Sequence, residues 1–471
     1  MIPHADLELD RRAFLGRYAG GLGSLALAHL AAAEEARPTR TDPLAPKKPH
    51  HAATAKAVIC LFQHGGPSQM DLFDPKPELT RQHGKSHPDK LEAHFHTQQG
   101  KLLGSPFKFA KCGKSGVELS ELLPHTARIV DDITLVRSMK TDSVDHEAAL
   151  RLIHSGKVFP GRPAWGSWVL YGLGTGRQEL PAYVVLSDPG GIPVDGPNNW
   201  SSGFLPAVYQ GTPFRASGTP VAHLATPADV PADARRNQLD LLNGLNATHL
   251  RKHAGNGELE ARLGHYELAA KMQTAVPEVL DLSKETEATR KLYGIDNPKS
   301  AEYGKRCLLA RRLVERGVRF VQIFLSGQPW DTHSKNAENL KNLCAMTDQP
   351  SAGLVLDLKR RGLLDSTVVM WTGEFGRLPI SQGPDGRDHN RHAFSLWLAG
   401  GGFKKGYVHG ATDDFGYMAV EKVVRVPALH ATLLHALGLD HTRLTFPHEG
   451  RDDTLTDFAV TRAEVAKDLL A

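Results

Sequence analysis

The chain has 471 residues, 41% hydrophobic and 23% charged, with 45 Gly, 30 Pro and a formal net charge of +4. That apolar content excludes a disordered chain. The lack of any dense Lys/Arg run or basic-aromatic array excludes nucleic acid as a partner, while the mild positive excess suits an anionic small molecule or polysaccharide.

At the N-terminus, Arg11-Arg12-Ala13-Phe14-Leu15 leads into an apolar stretch over 18–30 and then Ala31-Ala32-Ala33. This is the layout of a twin-arginine export signal over 1–33, which predicts a bacterial protein delivered to the periplasm or the outside. The stretch is shorter than the ~20 residues that span a bilayer, and no later segment is apolar enough to do so. Residues 34–56 are rich in Ala, Pro, Lys and His without periodicity and read as a linker before one domain over 57–471. The four cysteines, Cys60, Cys112, Cys307 and Cys344, include no CxxC pair, and the sequence does not choose among their pairings.

The domain opens on Ala57-Val58-Ile59-Cys60-Leu61-Phe62, a continuous apolar run of the kind buried on both faces of a sheet. Similar runs recur at 133–136, 183–186, 318–325, 367–371 and 394–399. Helical patterns lie at 258–272, 305–316, 352–361 and 429–437. This alternation predicts an α/β fold, a three-layer α/β/α sandwich around a mostly parallel sheet. Sites in such sheets form outside the carboxyl ends of the strands.

The residues just past each strand are therefore informative. After Phe62 comes Gln63-His64-Gly65-Gly66-Pro67, and after Leu325 comes a loop carrying Trp330-Asp331-Thr332-His333. After Trp371 comes Thr372-Gly373-Glu374-Phe375-Gly376-Arg377, and a glycine-rich loop then carries Gly386-Arg387-Asp388-His389. Imidazole with carboxylate suits zinc, manganese or iron, and carboxylate with carbonyl suits calcium or magnesium. Two residues apart on an extended loop, Asp331 and His333 point the same way. The expectation is one or two divalent metals (zinc, manganese, iron or calcium) held by Asp331, His333, Glu374 and His389, with His64 and Asp388 as further ligands. Arg377 and Arg387 are candidates to hold an anionic group bidentately. Taken singly, each residue also fits a cap, a turn or a surface ion pair.

These blocks carry a resemblance. The run from Phe62 through Gly65-Gly66-Pro67-Ser68-Gln69-Met70-Asp71 to Lys76 is similar to the opening block of the bacterial family called domain of unknown function 1501. So are Gly203-Phe204-Leu205-Pro206 with Gln210-Gly211, the segment 309–320, Trp330-Asp331-Thr332-His333, Gly373-Glu374-Phe375-Gly376-Arg377 and Gly386-Arg387-Asp388-His389-Asn390. The resemblance runs from about Lys56 to the C-terminus. It implies an alkaline phosphatase-like fold and hydrolysis or transfer at a phosphate or sulfate ester. In that superfamily Asp331 and His333 match the metal-binding pair after a middle strand, Glu374 falls where a later Asp stands, and His389 matches the last ligand. The chain departs from the pattern at Gln63-His64, where an acid is expected. It departs again at 146–156, which resembles the helix after the sulfatase nucleophile but places His146 at the nucleophile position. Ser143 or Thr141 as nucleophile, His146 as ligand or base, and water held by the metal all stay open. Two other functional classes remain: a non-catalytic envelope or binding protein that keeps the fold, and a metalloenzyme of another class such as a carbohydrate-active lyase.

Overall fold

The computed structural model describes residues 42–92, 94–95, 99–176, 179–215, 231–252, 272 and 276–471. The export signal expected over 1–33, and all but the last residue of the helix expected over 258–272, lie outside them. Residues Pro46–Ala471 form one compact unit. The linker expected over 34–56 is already packed from Lys47 on. Lys47 N bonds Leu173 O at 2.9 Å, Thr54 N and Ala55 N bond Ala436 O, and Ala55 is buried.

The strands used below are β1 (Ala57–Phe62), β2 (Gln99–Leu102), β3 (Ile133–Lys140), β4 (Tyr183–Leu186), β5 (Thr212–Phe214) and β6 (Phe320–Ile323). They continue with β7 (Thr367–Thr372), β8 (Gly376–Gln382), β9 (Gly386–Asn390), β10 (Phe394–Ala399), β11 (Tyr407–His409) and β12 (Val424–Arg425). The helices are α1 (His146–Ser155), α2 (Trp165–Leu173), α3 (Ala301–Glu315), α4 (Asn336–Arg360) and α5 (Val426–Ala436). The main sheet runs β11-β3-β10-β7-β1-β6-β4-β5, with β12 beside β3. Only β10 is antiparallel to its neighbours. The α/β class with a mostly parallel sheet is thus as the apolar runs predict.

Period-two alternation assigns each strand residue to a layer. Ile59, Leu61, Val184, Val321, Ile323 and Val369 share one core with Tyr303, Cys307 and Leu308 of α3 and Leu354, Val355 and Leu358 of α4. The opposite face carries Phe62, Tyr183, Phe320 and Gln322, which meet α1 and α2, and α5 packs on those two helices. Trp165 stands edge-on to Phe320 at 4.3 Å, the Phe62 and His154 rings are 4.5 Å apart, and His430 Nε2 bonds Ile153 O at 2.8 Å. With β1, β3, β6 and β7 running the same way, their carboxyl ends lie along one edge, where α1 begins. The Asp145 side chain caps α1 by accepting from Ala148 N at 3.0 Å, and Gly156 ends it at φ 77°.

The histidines buried in this layer make stability pH-dependent. Burial lowers the pKa of His430 to about 4, against the pull of the Ile153 carbonyl, and burial also holds His154 well below its ordinary value. Both rings stay neutral in the fold, while the unfolded chain protonates below 6.5. Stability is therefore complete above that pH and is lost as pH falls toward 4, by roughly 3 kcal/mol for His430 at most. Denaturant midpoints at pH 7 and 4.5 should differ less for His430→Gln than for the native chain. Equal shifts in both would show that His430 does not carry this dependence.

Candidate metal centre

The site is assembled by four chain segments that leave the carboxyl edge of the sheet. The turn after β1 carries His64, the loop after β3 leads to His146 at the start of α1, and the loop after β6 carries Asp331 and His333. The turn after β7 carries Glu374. Gly65 makes their approach possible. At φ 114°, a Cβ there would lie 2.4 Å from Asp331 N, so only glycine lets the two backbones meet. The same residue donates its N–H to Glu374 Oε1 at 2.9 Å.

Residues 386–390 are not the loop expected from sequence but strand β9, paired antiparallel with β8, which in turn pairs with β2. The register sets Arg377 opposite His389. Gly386 packs so tightly on the His333 carbonyl that a Cβ would sit 1.7 Å from it. This hairpin brings His389 back onto the cluster.

Asp331 is the meeting point. Its Oδ1 lies 2.9 Å from His333 Nε2 and 3.1 Å from His389 Nε2, and its Oδ2 lies 3.3 Å from His146 Nε2. Arg377 Nη2 donates to Oδ1 at 2.6 Å and Gln328 Nε2 to Oδ2 at 3.1 Å. Each histidine is anchored at its other nitrogen. His146 Nδ1 is 2.6 Å from Glu374 Oε1, His389 Nδ1 is 2.6 Å from Val144 O, and His333 Nδ1 bonds Gln382 Oε1. Glu374 and His389 are buried, whereas Asp331 and His333 keep partial exposure and mark the open side. His94 stacks on His389 at 5.0 Å and Phe95 stands against His333 at 5.3 Å.

Electrostatics follow from this packing. Burial works against a charge on His146, but Asp331 and Glu374 outweigh it and carry its pKa up to about 9. Burial prevails for His389, pulling it down to about 4 despite its bond to Asp331. Burial would raise Asp331 and Glu374, yet the surrounding histidines, and Arg377 for Asp331, hold both carboxyls below their usual range.

The donors fit a divalent cation. His146, Asp331 and His389 place one donor atom each within 4.8 Å of one another, and so do His333, Asp388 and His389. His64 is fully buried, lowered in pKa by burial, and has no hydrogen-bond partner at either ring nitrogen among the described residues. Such an orphaned imidazole is uncommon unless a further ligand satisfies it.

Other expected residues have different duties. Arg377 and Arg387 are fully buried and their donors are consumed. Arg387 pairs with buried Asp71 at 2.8 Å and with the Leu378 and Leu103 carbonyls. Arg377 ties the carbonyls of Gly65, Gly66, Trp330 and Arg387 to Asp331. Neither guanidinium is free to grip an anion, so that expectation is corrected: they brace the site. Among the described residues Ser143 Oγ hydrogen-bonds the Asp145 backbone alone, and Thr141 is buried. Asp388 accepts the His389 N–H at one oxygen and the Phe95 N–H at the other. Val144, Gln382 and Gln328, which fix the cluster, carry no signal in the sequence.

The family model described as "Protein of unknown function (DUF1501)" matches residues 55–470. The chain belongs to this family. No curated protein matches it in sequence. Among solved structures it is similar to the PsFucS1 sulfatase from Pseudoalteromonas sp., at 10% identity over 82% of this chain and 68% of that one, with a TM-score of 0.33. It is similar to the lipoteichoic acid synthase LtaP from Listeria monocytogenes, at 10% identity over 88% and 79%, with a TM-score of 0.36. A protein in the alkaline phosphatase superfamily from Vibrio parahaemolyticus gives 9% identity over 86% and 71%, with a TM-score of 0.35. At such scores the likeness carries no argument about chemistry, which rests on the residues above.

Proposed function

We propose that this chain is an exported, metal-dependent hydrolase or transferase acting on a phosphate or sulfate ester of a small molecule or polysaccharide. The observation that carries this reading is the convergence of three histidines on Asp331 at the carboxyl edge of the sheet. A divalent ion held by this cluster would offset charge on the transferring group and acidify an attacking group. The chain's own residues hold the donors in place. Glu374, Val144 and Gln382 orient the three imidazoles, and Arg377 fixes the Asp331 carboxylate. Export rests on the twin-arginine layout of 1–33, and no described helix is long and apolar enough to cross a membrane. The mature chain would then be a single domain beyond its linker.

One observation favours a second reading, a binding protein that keeps the metal centre without catalysis: both guanidiniums expected to hold the anion are consumed inside the fold. Turnover of 4-nitrophenyl phosphate and 4-nitrophenyl sulfate separates the two. The hydrolase reading expects release of free phosphate or sulfate that stops on chelation and returns with zinc or manganese. Activity indifferent to chelation would overturn it, and metal binding without turnover would favour the binding protein. A cleaved polysaccharide lacking free phosphate or sulfate would point instead to a lyase.

A further inference from the structure

An exposed aromatic side chain is ordinary when it stands alone on a surface. Phe95, 39% exposed, does not stand alone. Its N–H is donated to Asp388 Oδ2 at 2.8 Å, while the other oxygen of that carboxylate takes the N–H of His389. One side chain thus ties Phe95 and His389 to a common point. The Phe95 ring stands edge-on to His333 at 5.3 Å, and the neighbouring His94 ring lies over His389 at 5.0 Å. Just upstream the chain is fastened again. Leu91 is buried in a small core with Met70, Leu79 and Ile380. Glu92 Oε2 accepts from Arg391 Nη2 at 2.9 Å and lies 2.8 Å from His392 Nε2, and the Glu92 N–H is donated to the Tyr417 hydroxyl at 3.2 Å. The open side of the cluster, where Asp331 and His333 keep partial exposure, is therefore flanked by an aromatic ring held in register with it. The part of that ring left in water gains the free energy of burial only when a second apolar surface covers it.

We propose that Phe95 sets the substrate class. It packs on the organic part of the ester, which is a ring with a flat apolar face, a pyranose or an arene, while the phosphate or sulfate lies at the histidine cluster. This deepens the function proposed above and rests on it. A flat ring offers an aromatic side chain a broad contact in a defined orientation, whereas a linear alkyl group offers less area and no preferred face. With Arg377 and Arg387 spent inside the fold, the choice of one ester over another turns on such apolar contact with the organic part. Phe95 takes no part in bond making or proton transfer. It holds the ring of the ester, and Asp388 holds Phe95.

Calorimetry of the full chain in zinc chloride, with ligands that cannot be hydrolysed, tests this. Phenylphosphonate and benzenesulfonate are compared with propylphosphonate and propane-1-sulfonate, and 6-deoxyglucose carrying a 6-phosphonate or 6-sulfonate supplies the pyranose arm. The native chain should bind a ring ligand about 5- to 10-fold more tightly than the propyl ligand with the same anion. Phe95→Ala should abolish that preference. Phe95→Trp should keep it, and Phe95→Leu, which retains apolar bulk without a flat face, should lose it. Preference for the phenyl ligand alone assigns an arene, and preference for the sugar alone assigns a pyranose. A Phe95 that merely props His333 would weaken ring and propyl ligands by the same factor in Phe95→Ala, and that result would overturn the proposal. So would a preference that survives Phe95→Ala, or a native chain with no ring preference, including one that binds none of these ligands. The hydrolase reading fails separately: ring-selective binding lost in Phe95→Ala, without turnover of either nitrophenyl ester, sinks that reading and leaves the role of Phe95 standing.

Discussion

Asp331→Ala should lose both the metal and a substantial part of the stability of the fold. The carboxylate is the shared partner of His146, His333 and His389, and it is the only anionic partner of Arg377 among the described residues. Arg377 is fully buried. Removing the carboxylate leaves its guanidinium with backbone carbonyls alone, at a cost of about 3 kcal/mol or more for a buried charge that loses its counterion. Asp331→Asn separates the two roles. Its amide oxygen still accepts from Arg377, so the denaturation midpoint should stay close to native, while zinc affinity falls because a charged donor is gone. Calorimetry and denaturant unfolding on the three chains check this together. Native zinc affinity in Asp331→Asn would remove Asp331 from the centre.

Arg387→Met should destabilise the chain by about 3–5 kcal/mol without weakening the affinity of the folded protein for an anionic ester. Asp71 and Arg387 are both fully buried, joined at 2.8 Å, and Asp71 would keep neutral donors alone, Ser68 Oγ at 2.6 Å, Asn336 Nδ2 at 3.0 Å and the Ser105 side chain, among the described residues. A buried pair is costly to break by half and cheap to replace whole. The double variant Asp71→Leu with Arg387→Met should therefore recover much of the loss. Thermal melts of the single and double variants give the comparison. A raised KM for 4-nitrophenyl phosphate with unchanged stability would restore Arg387 to the anion site.

The fold was legible where strands are buried on both faces. Ala57–Phe62, Tyr183–Leu186 and Phe394–Ala399 match their apolar runs residue for residue, because a central strand needs no polar alternation. Strand β9 was not, because Gly386-Arg387-Asp388-His389-Asn390 is polar throughout and becomes buried only through partners far along the chain. The 25-residue helix α4 was seen only past Pro350, which interrupts the pattern locally although the helix continues through it. At the site, Asp331, His333, Glu374 and His389 were legible as residues beside strand ends. Their division into donors and orienting partners was not. That depends on Val144 O, on Gln382, and on an Asp71–Arg387 pair separated by 316 positions, none of which a spacing rule reaches.

Crystals of the full chain grown with zinc, with diffraction recorded on both sides of the zinc absorption edge, would locate the ion itself. The proposed metal-dependent reading predicts an anomalous peak in the cluster that His146, His333 and His389 form around Asp331. A peak between His64 and Glu374 alone, or none after loading, would contradict the assignment of this cluster as the metal centre.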